Sequence, residues 1–268
     1  MNKLRQLLKN YTKHMPWVYS VMQWIYHETR FILSSVLLKI KYPKLRIVRY
    51  SKDELQEQHR LGFRSQFGQD CFIHGHFFSD VAGGTFVDVG CNQPEFLNNT
   101  FFFERSRGWK GLAFDPMTKY QPEWAESRSA IFFPFALGGF EETKTFVEIE
   151  NKGGWGNMMS AFAENVRPED MALGYTVYAV SVRRASDVFE QHGVSSIDLM
   201  SIDVEGAEMD VLLGMEMPRY LPKVLLIENC RGLAGNEKIR QYLIARGYKF
   251  HARIWTADDV FCIPAGSL

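Results

Sequence analysis

The chain has 268 residues, 46% of them hydrophobic and 23% charged. This length suits one large α/β domain or a domain with an appendage, and the composition argues against wholesale disorder. The net charge is zero but unevenly divided: residues 1–50 hold ten Lys or Arg and one acid, a net +9, and the remainder holds 21 basic and 30 acidic residues, a net −9. A basic arm on an acidic body indicates contact with an anionic surface.

The spacing of the cysteines is typical of a protein in a reducing compartment, and the hydropathy pattern indicates no membrane-spanning segment. The four cysteines form no CxxC pair and have no histidine at metal-ligand spacing, which argues against a zinc site or a disulfide framework. The N-terminus lacks a secretory signal pattern, and the early apolar run over residues 31–38 is far short of the ~20 residues that span a bilayer. We expect a cytoplasmic protein, soluble or peripheral at the inner face of the membrane.

Residues 1–60 are predicted to form a basic, aromatic-rich helical extension and linker, followed by one domain over residues 61–268. Four residues at helical spacing share a face near the start: Leu4, Leu7, Leu8 and Tyr11. A stretch rich in Trp and Tyr follows Pro16. Two interpretations of residues 1–45 stay open: peripheral contact with a membrane surface, or an amphipathic cap that packs on the domain or joins two copies as a homodimer. Residues 51–60 are a linker or an exposed helix.

A polar cluster, Ser65-Gln66-Phe67-Gly68-Gln69-Asp70, precedes the first core strand. It is either a helix start capped by Ser65 or a set of hydrogen-bonding groups for a ligand, and its composition does not decide between them.

The most informative stretch follows, over residues 85–116. An apolar strand carries Asp88 near its end and stops at Gly90, a helix follows, and a second strand ends at Asp115. This βαβ unit places one carboxylate at the end of each strand, where open α/β sheets bind ligands.

Strands and helices continue to alternate towards the C-terminus. A buried strand ends at Asp203, a helix is predicted from about Glu205 to Gly214, and another strand ends at Glu228. The helix dipole is an ordinary explanation for Glu205 and Glu208, whereas Asp203 is interpreted as functional. The other predicted elements are a helix over 117–128, strands over 130–137, 145–149 and 176–182, a glycine-rich loop over 151–160, helices over 186–192 and 236–246, and strands over 248–254 and 260–263.

The loop after Gly90 narrows the choice of cofactor. Dinucleotide binding needs GxGxxG and a P-loop needs GK[ST], and neither occurs. Pro94 lacks an N–H donor, and Glu95 puts negative charge where phosphates would lie. A cationic ligand without phosphates fits better, and S-adenosylmethionine is such a ligand.

Three motifs resemble the FkbM-type methyltransferases that depend on S-adenosylmethionine, in the branch with an SQxGQD motif. They are SQFGQD, FVDVGCNQPEFLNNTFFFERSRGWKGLAFDP and IDLMSIDVEGAEMDVLLGM, and the resemblance covers about residues 62–264. It implies a class I methyltransferase (Rossmann-like) fold, a seven-stranded, mostly parallel sheet with helices on both faces and an antiparallel last strand. It also implies O-methylation, typically of a sugar hydroxyl in a glycan, glycolipid or related metabolite. Cys91, Asn98 and Asp115 depart mildly from the family pattern, which says nothing about residues 1–45.

We assign site residues as a hypothesis. The base that takes the acceptor proton is Asp203, with Glu205 second and His76 or Glu228 less favoured. The residues assigned to the cofactor are Gln66, Asp70, Asp88, Gly90, Asn92, Asn99, Thr100 and Asp115.

Other functions are weighed against this one. Asp203, Glu205, Glu208 and Glu228 would offer oxygen ligands to a divalent metal if they converged, but spacing does not show this and we do not favour a metal. The alternative function is a non-catalytic scaffold that binds the cofactor or a glycan at a membrane-associated glycan assembly complex. Nucleic acid is not expected as a partner, because the body is acidic and no [DN]PP[YFW] motif occurs.

Overall fold

The computed structural model describes residues 16–150, 156–217, 219–229 and 231–264. The predicted helical face at residues 4–11 and the first half of the glycine-rich loop lie outside these residues. The described helices are α1 (Pro16–Lys41), α2 (Lys52–Arg60), α3 (Gln69–Phe77), α4 (Phe101–Arg107), α5 (Gln121–Ser127), α6 (Ala185–Gln191), α7 (Glu208–Gly214) and α8 (Glu237–Ile244). The strands are β1 (Arg46–Val48), β2 (Thr85–Val89), β3 (Lys110–Phe114), β4 (Ile131–Phe133), β5 (Ala136–Gly138), β6 (Glu142–Ile149), β7 (Ala161–Phe162), β8 (Tyr175–Arg184), β9 (Leu199–Ile202), β10 (Val224–Glu228), β11 (Lys249–Ile254) and β12 (Asp258–Cys262).

The main sheet has the order β1-β11-β12-β10-β9-β2-β3-β4. The last strand, β12, runs antiparallel to both of its neighbours, and every other neighbouring pair is parallel. The chain order reverses between β2 and β9, which is the switch point where such sheets bind ligands. The sheet is buried on both faces: Val87 and Val89 pack into one apolar layer and Phe86 into the other, as the period of two in a strand requires.

The sheet has eight strands rather than the seven predicted. The extra strand, β1, belongs to the extension over residues 1–60 and pairs in parallel with β11. The extension and the domain therefore share one sheet, although the sequence places a boundary between them after residue 60. In the described part of the extension, β1 is flanked by the helices α1 and α2. Helix α2 begins at a capping box made by Ser51 and Glu54, so residues 51–60 are a helix rather than a linker.

A second, four-stranded sheet with the order β5-β8-β6-β7 was not predicted. The sequence indicates one strand over residues 130–137, but the structure divides it into β4 in the main sheet and β5 in the second sheet. Pro134 lies between them, and because proline has no N–H to donate, it cannot continue a ladder on both sides. The second sheet carries residues 156–162 to the edge of the main sheet.

Helix α1 packs on the domain along one side only. Leu38 and Ser34 are buried, Phe31 stacks on Trp255 with ring centroids 5.2 Å apart, and Arg49 pairs with Glu28 at 2.7 Å. No helix among the described residues is long and apolar enough to cross a membrane.

A buried ion cluster joins β11, β12 and α8. The Asp259 carboxylate accepts hydrogen bonds from Arg240 Nε at 2.9 Å, Arg253 Nε at 2.5 Å and Asn229 Nδ2 at 2.8 Å, and both arginines are almost fully buried.

We expect Asp259→Ala to lower the free energy of unfolding by about 3–5 kcal/mol, because two buried guanidinium groups would lose their counter-charge. Urea unfolding measures this. Glu190→Gln is the control, since the Glu190–Arg219 pair is exposed and its removal should leave stability essentially unchanged. Equal stability of wild type and Asp259→Ala would contradict the prediction.

Candidate functional site

A cavity of about 330 Å³ lies over the carboxyl ends of β2, β3, β9 and β10. Eight of the ten residues assigned to the site from sequence line it: Gln66, Asp88, Gly90, Asn92, Asn99, Asp115, Asp203 and Glu205. Glu228, a less favoured candidate for the base, also lines it. Asp70, Thr100 and the other such candidate, His76, are not among the described lining residues.

Gly90 fixes the distance between β2 and β9 at the cavity floor. Its φ is +80°, and an added Cβ would overlap the Asp203 carbonyl oxygen. The Asp203 N–H donates to the Val89 carbonyl at 2.9 Å, so the two strand ends are held side by side. Only glycine allows this approach, which brings Asp88 and Asp203 to one cavity.

Asp88 organises the loop between β2 and α4. Its Oδ2 accepts hydrogen bonds from Thr100 Oγ1 at 2.8 Å and Asn98 Nδ2 at 3.0 Å. Arg128 is buried beneath them, pairs with Glu104 at 2.7 Å, and donates to Asn98 and Thr100. Burial raises the pKa of Asp88, and the nearby Arg128 opposes this. Thr100 therefore supports Asp88 from behind, so the structure does not support its assigned contact with the cofactor.

The polar side chains of the SQFGQD segment make three different kinds of contact. Asp70 is fully buried and accepts from the backbone N–H groups of Arg64, Ser65 and Cys71 and from the Ser65 hydroxyl, so it holds its own loop and does not reach the cavity. Gln69 donates to Asp258 at 3.0 Å. Gln66 alone of the six lines the cavity. Helix α3 starts after Gly68, so Ser65 is not its cap.

Asp115 anchors the opposite end of the cavity. Its two oxygens accept from the N–H groups of Asn92 at 2.9 Å and Met117 at 2.8 Å, and burial raises its pKa to about 6. Asn157 reaches this end from the second sheet and donates to Tyr120 Oη and, at 3.4 Å, to Asn92 Oδ1.

Three carboxylates converge at the β9 and β10 end. Asp203, Glu205 and Glu228 each offer an oxygen within 4.8 Å of the others, and Asp203 is hydrogen-bonded to Glu228. These three could hold a hard divalent cation. Glu208 is not one of these three residues, and its Oε1 accepts from the Gly206 N–H at 2.6 Å. The predicted helix start at Glu205 is also wrong: α7 begins at Glu208, and Glu205 has a left-handed φ of 50°.

Crowding of these acids raises their pKa values. Burial and the neighbouring Glu205 raise the pKa of Asp203 well above its ordinary value, and burial with Asp203 and Asp258 does the same for Glu228. Burial and Glu228 raise the pKa of Glu205 to about 8. Asp203 faces solvent through the cavity while protein surrounds it on its other sides.

His76 lies away from the acids. Its ring stacks on Phe72 at 4.0 Å, one ring nitrogen is 3.0 Å from Arg46 Nη1, and the other is 2.9 Å from the Phe72 carbonyl oxygen. The suggestion that His76 is the base is therefore not supported.

The chemistry of the lining fits a cationic cofactor without phosphates. Five carboxylates line the cavity, and among its described lining residues there is no Lys, Arg or His. A phosphate would have no cationic partner there and several anionic neighbours. The Oδ1 atoms of Asn99 and Asn157 are buried without a hydrogen-bond partner in the described part of the chain, so each can accept from a bound ligand.

Residues 88–250, more than half of the chain, match the family described as Methyltransferase FkbM domain. The chain belongs to the FkbM methyltransferase family. The match begins at Asp88 and includes Asp115, Asp203, Glu205 and Glu228, so all five acids of the cavity in this FkbM methyltransferase lie within the family region. No curated protein and no solved structure matches the chain.

Several residues of this FkbM methyltransferase escaped the sequence analysis. Asn98, Arg128, Asn157 and Asp258 support or line the cavity through contacts between 10 and 65 residues apart along the chain, or through sheet pairing. Asp258 lies opposite Glu228 in the antiparallel pair, a register that no local pattern encodes. Asn157 follows the glycine-rich stretch and Asn98 lies in a family motif, but neither signal assigned these residues to the site.

We expect Glu205→Gln to reduce the loss of stability at alkaline pH. The folded-state pKa of about 8 exceeds the ordinary value of 4.5, so this group's contribution is full below about 4.5 and is lost as pH rises through 8. At pH 9 the variant should be more stable than wild type by on the order of 1 kcal/mol or more, and at pH 5 the two should be similar. Thermal unfolding from pH 5 to 9 measures this, with the exposed Glu141→Gln as control. Parallel curves for wild type and Glu205→Gln would contradict the assignment.

Proposed function

We propose that the protein is an S-adenosylmethionine-dependent O-methyltransferase that acts on a sugar hydroxyl of a glycan, glycolipid or related metabolite. The observation that carries the proposal is the lining of the cavity, acidic at both ends and without a described cationic side chain, at the switch point of the sheet. The strand order, with β12 alone antiparallel, supports a class I methyltransferase fold with one added edge strand. The sugar acceptor rests on the resemblance of the three sequence motifs.

The residues at the Asp115 end are suited to the nucleoside part of the cofactor. Each Asp115 oxygen accepts one backbone N–H and keeps capacity to accept a ribose hydroxyl. The unpartnered Oδ1 of Asn157, next to Asn92, can accept from an exocyclic amine or a hydroxyl. Towards the other end, Asn99 is fixed by a 3.1 Å hydrogen bond to Ser201 and presents its own unpartnered Oδ1.

The acids at the β9 and β10 end are suited to the transfer itself. S-adenosylmethionine supplies a methyl group activated by a positively charged sulfonium. Asp203 in its ionised form, with Glu205 beside it as the second candidate, accepts the single proton of the acceptor hydroxyl, which is too weakly acidic to ionise unaided at neutral pH. The floor set by Gly90 holds both ends in one cavity, so the acceptor can be aligned with the methyl group. The hydrogen bond between Glu228 and Asp203 contributes to the raised pKa of Glu228 and opposes the rise in the pKa of Asp203, so it favours a protonated Glu228 beside an ionised Asp203.

We expect Asp115→Ala to weaken S-adenosylmethionine binding at least about tenfold, since a ribose diol would lose a charged acceptor, for which the usual cost is ~1.5–3 kcal/mol. Isothermal titration with the cofactor measures this. Asp80→Ala, an exposed acid outside the cavity, is the matched control and should bind as wild type does. Wild-type affinity in Asp115→Ala would remove Asp115 from the cofactor site.

We expect Asp203→Asn and Glu205→Gln each to lower methyl transfer by about 10²–10⁴-fold while cofactor affinity changes little, because proton acceptance acts on transfer rather than on binding. The assay uses methyl-labelled S-adenosylmethionine with a panel of nucleotide sugars and glycan extracts. In wild type the rate should rise as pH passes through about 8, and this rise should be absent in Glu205→Gln. Full activity in both variants would reject these acids as the base. Cofactor binding without transfer to any acceptor would favour the scaffold instead.

A further inference from the structure

The largest group of exposed apolar side chains lies on α1. Of the 19 large apolar or aromatic side chains that are exposed in the described part of the chain, ten belong to this one helix. They include Trp17 at 69% exposure, Trp24 at 63%, Ile32 at 56% and Ile40 at 74%. Large apolar patches on a folded protein mark a surface that another body covers.

These side chains lie on the part of the helix surface that the domain leaves exposed. Trp17, Trp24, Ile32, Val36 and Ile40 recur at helical spacing, and we call this surface the outer face of α1. The inner face carries Leu38, Ser34 and Phe31, which contact the domain. From Trp17 to Ile40 the outer face is about 35 Å long at 1.5 Å per residue.

The charge of the residues around α1 indicates which kind of partner its outer face contacts. Residues 1–50 carry a net charge of +9, and their single acid, Glu28, is neutralised by Arg49 at 2.7 Å. Lys39 and Lys44 are exposed near the C-terminal end of the helix. A second copy joined through the same face would bring the exposed lysines near the ends of the two α1 helices, Lys39 and Lys44, towards those of its partner, which like-charge repulsion opposes. An anionic bilayer attracts the same segment, and tryptophan is typical of the bilayer–water interface.

We propose that the outer face of α1 lies in the interface of an anionic lipid bilayer, with the helix parallel to the membrane plane. The inner face stays packed on the domain, so the helix that contacts the membrane is part of the folded domain rather than a flexible anchor. Phe31 stacks on Trp255, and Trp255 stacks on Phe67, the neighbour of the cavity residue Gln66. The membrane surface therefore connects to the rim of the cavity through two stacked ring pairs. This inference does not depend on the proposed methyltransferase activity.

Flotation of the full-length chain with lipid vesicles tests the proposal. Vesicles of phosphatidylcholine alone are compared with vesicles that contain about 30% phosphatidylglycerol, at low and high salt. The wild type should float with the anionic vesicles, more weakly at high salt, and should bind phosphatidylcholine vesicles less.

The double variant Trp24→Ser with Ile32→Ser should reduce partitioning into anionic vesicles at least about tenfold, since two large apolar side chains are lost from the contact. Phe140→Ser is the control, because Phe140 is 77% exposed but lies outside α1, and its binding should equal that of wild type. All three chains should unfold at the same temperature, since the replaced side chains are exposed.

Three results would overturn the proposal. Wild type could fail to bind anionic vesicles, wild type could bind both vesicle types equally, or the double variant could bind anionic vesicles as wild type does. If wild type does not bind and sedimentation equilibrium shows a dimer that the double substitution dissociates, the outer face joins two copies instead.

Discussion

Five carboxylates meet at one edge of the main sheet, and no described lysine or arginine lines the cavity between them. Like charges this close cannot all ionise without a large electrostatic cost, so the protein must keep some of them protonated or bring in a positive ligand. The raised pKa values of Asp203, Glu205 and Glu228 are the first response. A cationic cofactor would be the second, and its binding would favour the ionised acids that proton acceptance needs. Cofactor binding and proton acceptance would then both depend on the electrostatic attraction between the cofactor and these acids.

The fold contributes the geometry that keeps these charges together. Gly90 lets β2 and β9 approach, while Arg128 and Asn98 fix the loop that Asp88 organises. None of these residues has to touch the reacting groups to matter, because a cavity holding repelling charges opens unless its walls are rigid. The buried Arg128 also offsets part of the charge of Asp88 from behind the cavity wall.

Sequence patterns predicted those features of the fold and the site that depend on residues close together in the chain. The βαβ unit, the acids at strand ends and the direction of the last strand all follow from local periodicity and family motifs, and eight of the ten assigned site residues line the cavity. The predictions failed where contacts between residues far apart in the chain determine the structure. Asp70 and Thr100 have polar side chains in the expected places, but nearer backbone and side-chain partners satisfy them first. Residues 130–137 were predicted as one strand despite Pro134, and which sheet each half joins depends on contacts with β3 and β8.

The short strand β1 makes the N-terminal segment part of the folding unit. It covers the open edge of β11, whose backbone groups would otherwise be free to pair with a strand from another chain. Leu38 and Leu45, which precede it in the chain, complete the apolar layer beneath the sheet. A truncated form that begins after residue 60 would therefore lose more than a surface attachment. It would uncover a strand edge and part of the core together, which is the combination that leads to aggregation.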